Sequence, residues 1–311
     1  MSLRVLEPGL CSLVVDQGRP RSRSLGVPVG GAADRSALAI GNAMLGNGPE
    51  AAGLEITLVG PALSAAQRIG AVVVGAPFQL GSGRQPLSAN KAFTLEAEEE
   101  LHVGGASCGA RAYLCVVGGL QTGLVLGSRT SLTPLCGGEE LPCSPSSTIA
   151  HLVRDEFPAE VVPSLSRELR LGKRRLRIVA GAQADWFPLT LDGDAEWMVS
   201  PASNRMGLRL TGSPLLVPAR ELVSEPVSPG AIQVTQDGQL IILGVDGQTI
   251  GGYPKIAQVI SADLDLVGQL RPGDHVSFES VTLERAQAIY RARAHHLAQL
   301  CQRIRLAAEA F

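Results

Sequence analysis

No stretch of this sequence approaches the roughly 18 consecutive apolar residues that a membrane-spanning helix needs, so no helical membrane span is expected. The start, MSLRVLEPGLCSLVV, lacks the long apolar region and small-residue cleavage site of a secretory signal, and a cytoplasmic location is expected. Charge of one sign is lacking too. The 27 Lys and Arg stand against 29 Asp and Glu, a net charge of −2, and no basic stripe is present to follow a phosphate backbone. Neither nucleic acid nor a membrane is expected as a partner. Aromatic residues are scarce at 4%, so Leu, Val, Ile and Ala must supply the core. With 45% hydrophobic and 18% charged residues, the 311-residue chain can bury one large or two ordinary domains. The six cysteines contain no CxxC pair, and only His102 and His151 lie near the 108–143 group. That is not the spacing of a tetrahedral zinc site, and no metal is expected. A disulfide framework is not expected in a chain of this type. Cys11 and Cys115 sit inside apolar runs, where a reduced thiol acts as a small hydrophobe. No GxxxxGK[ST] loop, GxSxG elbow or GxGxxG strand-to-helix turn occurs. His295 and His296 fall on adjacent helix faces and cannot ligate one metal together.

What is present is a succession of short β-type runs. CSLVV, GLEITLVG, GAVVVGA, ARAYLCVVGG, LRIVAG, EWMVS, GAIQV, QLIILGV, AQVIS and HVSFESV are bounded by Gly, Pro, Asp or Asn. They recur too closely for regular βαβ units, which predicts mostly antiparallel sheets or barrels. Two segments read as helix. Ser36–Asn47 follows Asp34, a residue suited to an N-cap, and ends in Gly-Asn-Gly. Thr282–Ala310 carries Leu283, Ala286, Tyr290, Leu297, Leu300, Ile304 and Ala308 at three- and four-residue spacing, with arginines on the other face. That helix is either a packing element with a solvated face or a surface for a partner.

The stretch 134–168 is rich in Pro, Ser and Gly and reads as a linker or loop arm. It divides the chain into a first copy at 1–133, a second at 169–281 and a terminal helix at 282–311. The copies can be laid on each other in order. Asp34-Arg35 falls on Asn204-Arg205, Glu55 on Glu225, Gly60 on Gly230, Gly75 on Gly244, Gln79 on Gln248 and His102 on His275. A tandem duplication of one β-rich domain about a pseudo-two-fold axis is expected, with a ligand cleft between the halves. The copies diverge after VVV in the first and IIL in the second, with GAPFQLGSGRQP in one and GVDGQTIGGYPKIA in the other. In the second, Gly251 and Gly252 permit close backbone approach, and Pro254 fixes the exit. Tyr253 and Lys255 then stand on a stiff turn. The ammonium either binds a carboxylate or phosphate, works as an acid or base, or is merely the solvated lysine of a hairpin.

The stretches VVDQGRP (14–20), LGVPVGGAADR (25–35), AGLEITLVGP (52–61), CVVGGL (115–120), VLGSRT (125–130), NRMGLRLTG (204–212), SEPVSPGAIQV (224–234) and GGYPKIAQVI (251–260) resemble the biotin-dependent carboxyltransferase-like family. That family includes the C subunit of ATP-dependent 5-oxoprolinase, allophanate hydrolase subunit 2 and part of urea amidolyase. The resemblance implies a mostly β fold with few helices, two cyclophilin-like β-barrels in tandem. It also implies a sister B-type subunit and, in an oxoprolinase, an A-type subunit. The implied reaction is ATP-driven opening of the 5-oxoproline lactam to glutamate, with ATP as co-substrate of the complex. One alternative is biotin-dependent carboxyl transfer, though no Met-Lys-Met-like biotin-attachment turn occurs in this chain. Another is a non-catalytic partner that binds or regulates the sister subunit.

On this resemblance Lys255, Tyr253 and Gln248 are the expected catalytic residues. Asp34, Arg35, Asn204, Arg205, Thr249, Gly251 and Gly252 are expected to bind substrate. Arg35 and Arg205 are either bidentate anion holders or rivets for Glu55 and Glu225. Five positions depart from the family pattern: Ser24, Pro77, Asn204, Gly247 and Ile250 replace more polar residues. They signal either another substrate or lost catalysis.

Overall fold

The computed structural model describes residues 1–84, 86–144, 173–187 and 191–309. Most of the linker or loop arm expected at 134–168 lies outside these residues. The chain divides into two compact units, Met1–Gly18, Asp34–Arg170 and His296–Phe311 forming one, Arg19–Ala33 and Leu171–His295 the other. Both are built from short strands, as the sequence predicts. Of the helices, the segment expected at 36–47 spans Arg35–Met44 and the terminal one spans Leu283–Glu309. No helix among the described residues is long and apolar enough to cross a membrane.

In the first unit the strands lie in two sheets. One has the order Glu140–Pro142, Ser2–Glu7, Ala62–Ala65, Glu100–Ala106, Phe78–Ser82, Pro86–Leu87. The other runs Cys11–Val15, Gly53–Thr57, Arg111–Val116, Ile69–Gly75, Phe93–Leu95. Every residue of Ile69–Gly75 and Arg111–Val116 is buried. Their apolar runs do not alternate because both faces of the sheet are covered. The inner face packs against Leu3, Leu63 and Leu101 of the other sheet in one cluster. The outer face takes the 35–44 helix. Gly41 makes that approach close, since a Cβ there would lie 2.7 Å from the Cys115 sulfur. Burial pushes the Cys115 thiol up to about 12, as suits a cysteine acting as a hydrophobe.

The second unit closes into a barrel. Its strands run Lys173–Ala180, Lys255–Val259, Ala231–Val234, Leu240–Leu243, Gly207–Thr211, Gly193–Val199, His275–Ser280, and back to the first. Closure is by a parallel pairing, Leu176 opposite Phe278, and the other pairings are antiparallel. Leu176, Ile178, Trp197, Ile232, Val234, Ile242 and Phe278 fill its interior. Closure removes the exposed strand edges that such short strands would otherwise leave.

The sequence repeat is uneven in structural detail. Gly75 ends a strand and Gly244 directly follows one, while Gly60 lies two residues before a strand and Gly230 directly before one. Asp34-Arg35, however, opens a helix, whereas Asn204-Arg205 forms a turn between two strands. The terminal helix also departs from its expected face. Ala286, Leu300 and Ile304 are buried, but Leu283 and Tyr290 are exposed.

Candidate functional site

The expected site residues from 204 to 255 all belong to the second unit, on two connected turns. Asn204 accepts from the backbone of Met206 at 2.9 Å through its side-chain oxygen, and its main chain pairs with Gly207. A carboxamide serves that turn as a carboxylate would, so the neutral replacement leaves the turn intact. The turn is tied to residues 244–247. Gly244 donates to the Met206 carbonyl and Asp246 to the Arg205 carbonyl. Arg205 grips Asp246 in a two-pronged pair at 2.6 and 3.0 Å and donates to the Gly31 carbonyl at 2.8 Å. Its guanidinium is a rivet, but the anion it holds is Asp246 rather than the expected Glu225. The LGVPVGG stretch takes part, as Gly30 donates to the Val245 carbonyl and Arg23 to the Val227 carbonyl. The motif LGVPVGGAADR is therefore divided: 25–33 belong to the second unit, while Asp34 and Arg35 belong to the first.

From this base the chain enters the GGYPK loop. Ile250–Gly251 pairs with Glu225–Pro226 in a two-stranded ribbon, Glu225 opposite Gly251. The Thr249 carbonyl accepts from the Val227 backbone at 3.0 Å, and the Pro254 carbonyl from that of Val234 at 3.0 Å. Pinned at both ends, the loop exposes Gln248 and Tyr253 and buries Gly251. Its lysine is not a free solvated group. Lys255 Nζ lies 2.6 Å from Glu225 Oε1 and 3.5 Å from the Pro226 carbonyl oxygen, its side chain 15% exposed.

Gln183 holds this pair together, and no motif in the sequence points to it. Its side-chain oxygen accepts from the Lys255 backbone at 2.9 Å and its backbone donates to the Lys255 carbonyl at 3.0 Å. Its side-chain nitrogen donates to Glu225 at 2.8 Å. The near signal is Gly181, where a Cβ would lie 2.2 Å from the Lys255 carbonyl oxygen, so only glycine fits. The hydrogen bond from Lys255, then that from Gln183, holds the Glu225 carboxyl below its ordinary 4.5. A carboxylate with a depressed folded-state value stabilises the fold above its unfolded value, and that contribution is lost as pH falls through the depressed value. We expect wild type to exceed Glu225→Gln in thermal midpoint near neutrality and the difference to vanish in acid. Thermal unfolding from about pH 7 down to about pH 3 measures it. A constant difference throughout would refute the pair's contribution.

In the first unit Asp34 caps the 35–44 helix, its carboxylate accepting from Ala37 at 2.9 Å, and it is wholly buried. Its backbone donates to the Tyr113 hydroxyl at 2.7 Å, and that hydroxyl donates to Glu55 at 2.8 Å. Arg111 completes the cluster, Nε to Glu55 at 3.2 Å. Arg35 is exposed at the helix start. Of the departures from the family pattern, Gly247 has a steric reason. A Cβ there would meet the Met206 carbonyl oxygen at 2.9 Å.

Sequence comparison matches residues 25–280 to a family described as carboxyltransferase domain, subdomain A and B. The chain is 33% identical over 301 residues to the C subunit of 5-oxoprolinase from Haemophilus influenzae, covering 92% of this chain and 94% of that protein. It is 32% identical to the C subunit of 5-oxoprolinase from Escherichia coli, covering 97% and 98%. The urea amidolyase of Lachancea kluyveri is 28% identical over 93% of this chain but only 17% of its own length. Among solved structures, Kluyveromyces lactis urea carboxylase superimposes with a TM-score of 0.85 at 27% identity, over 96% of this chain and 29% of that one.

Proposed function

We propose, from the premise that this chain belongs to the carboxyltransferase domain family of subdomains A and B, that it is the C subunit of an ATP-dependent 5-oxoprolinase. The observation that carries this reading is the Lys255 ammonium, held by Glu225 beside a two-glycine turn. It does so in a chain similar along nearly its whole length to two proteins of that name. The complex would open the 5-oxoproline lactam to glutamate, with ATP as co-substrate and B-type and A-type subunits as partners.

The substrate carries one carboxylate and one lactam oxygen, and both need donors. Lys255 takes the substrate carboxylate in exchange for Glu225, which keeps the ammonium placed until then. Gly251 and Gly252 let the substrate approach the backbone, and Thr249 holds the loop. Gln248 and Tyr253, exposed at its rim, donate to oxygens of the bound substrate. As the amide is activated, charge grows on its oxygen, and fixed donors stabilise that charge more than the ground state. Asn204 and Arg205 act at one remove, keeping residues 244–247 in place. Arg35 is one exposed cation of the first unit that can take an anionic group, whereas Asp34 serves its helix.

A biotin-dependent reading draws on the same donor set. An ammonium and amide N–H groups suit the oxygens of a carboxylated biotin, so Lys255 and Gln248 would hold that group, which when bound supplies a transferable carboxyl. The end-to-end similarity to the oxoprolinase proteins favours the lactam reading. The test is coupled ATP turnover by the chain co-expressed with its B-type and A-type partners. Turnover that depends on 5-oxoproline is expected. An intact complex that hydrolyses no ATP with 5-oxoproline would overturn the reading in favour of an assembly or regulatory partner.

A further inference from the structure

Gln233 stands in the Ala231–Val234 strand, 1% exposed, and its side-chain nitrogen has no hydrogen-bond partner among the described residues. A buried donor without an acceptor costs free energy, and such groups call for a particular reason. The surroundings supply one. Gln233 is the register partner of Lys255 on the neighbouring strand, so the two side chains leave the sheet on the same face. A Cβ placed on Gly251 would lie 2.7 Å from Gln233 Nε2, 2.8 Å from Gln248 Nε2 and 3.3 Å from a Val227 methyl. Two amide nitrogens therefore converge on the one glycine that leaves them room. Gln233 is the buried member of the pair and Gln248 the exposed one.

We infer that Gln233 Nε2 is the donor for the neutral amide oxygen of the substrate, with the exposed Gln248 side chain beside it. This deepens the lactam reading above and rests on it. The division of labour follows from charge. Gln233 offers a neutral donor in a buried place beside Val227, where a carboxylate without a counter-ion would be costly. The substrate carboxylate therefore goes to Lys255 and the uncharged carbonyl to Gln233. The favoured ligand is a small molecule with an amide carbonyl and a carboxylate a few bonds apart. Because negative charge grows on the amide oxygen during activation, the Gln233 bond strengthens toward the transition state.

The test uses the complex assembled with the isotope-labelled chain. The Gln233 side-chain amide signal is identified by its disappearance in Gln233→Met. It is expected to shift with 5-oxoproline and with 2-pyrrolidone, which has the lactam but no carboxylate, and to stay unmoved with acetate. In turnover, Gln233→Met is expected to lower kcat/KM about 100-fold, mainly through kcat. Should that variant not fold, Gly251→Ala keeps Gln233 itself but sets a methyl group 2.7 Å from its Nε2, filling the cradle, and is expected to give the same kinetic loss. A signal indifferent to both lactams, or a folded variant with wild-type kcat/KM, overturns the inference. If the wild-type complex does not turn over 5-oxoproline, the oxoprolinase reading falls. The response to 2-pyrrolidone then decides the Gln233 site by itself.

Discussion

Lys255→Ala in the assembled complex is expected to lower kcat/KM for 5-oxoproline by about 10²- to 10³-fold, the loss expected when one partner of a desolvated charge pair, here the cation for the substrate carboxylate, is removed. The fold should survive. Glu225 loses its partner but is 34% exposed on its side chain, so water can solvate it, and Gln183 still donates to it. Gln183 also holds the backbone of residue 255, through bonds that the substitution does not touch. Co-elution with the partner proteins should therefore be unchanged. Lys255→Arg is not expected to rescue, because a planar fork cannot occupy the place of a compact ammonium between Glu225 and the Pro226 carbonyl. Lys255→Met, which keeps the apolar stem, separates packing from charge and should be as inactive as alanine. Turnover retained within a few-fold in Lys255→Ala would mean that GGYPK is only a turn and Lys255 only its strap.

Glu55→Leu is expected to cost the first unit about 3–5 kcal/mol, the usual penalty for breaking a buried ion pair by removing one partner. At about 2–4 °C per kcal/mol for a domain of this size, its thermal midpoint should drop by roughly 10 °C. Glu55 is fully buried, and Arg111 is 7% exposed on its side chain. The substitution leaves a guanidinium without that carboxylate and the Tyr113 hydroxyl without its acceptor. Tyr113 also receives the Asp34 backbone N–H, so the helix start loosens with it. The triple replacement Glu55→Leu, Tyr113→Phe, Arg111→Met should recover much of the loss, because removing all the polar partners leaves fewer buried groups stranded. A single substitution as stable as wild type in thermal unfolding would contradict this account.

These two residues differ in how far the sequence foretells them. Lys255 stands out as one cation behind Gly-Gly-Tyr-Pro at the start of an apolar run. Glu55 offers itself only as a partner for Arg35, and its bonds to Tyr113 and Arg111 join strands through side chains 58 and 56 residues apart. The same contrast runs through the fold. The 35–44 helix and its Asp34 cap are readable because capping is local, a side chain meeting the backbone three residues on. The strands are readable because turn residues bound them. The barrel closure is not, since it depends on a parallel pairing of residues 173–178 with 275–280.

At the lysine itself the division is sharp. The amino-acid order by itself determined that a short glycine-rich turn delivers Tyr253 and Lys255 at the head of a strand, and that this happens in only one of two related halves. Only the tertiary structure decided what meets them. Glu225 faces the ammonium, Gln183 braces both, Arg205 closes on Asp246 rather than Glu225, and Gln233 keeps a donor without a partner among the described residues against Gly251. The reason is physical. Backbone preferences act over a few residues and leave their mark in composition and spacing. The partner of a charge is whichever group the sheet register brings within hydrogen-bonding reach, and register is a property of strands far apart in sequence.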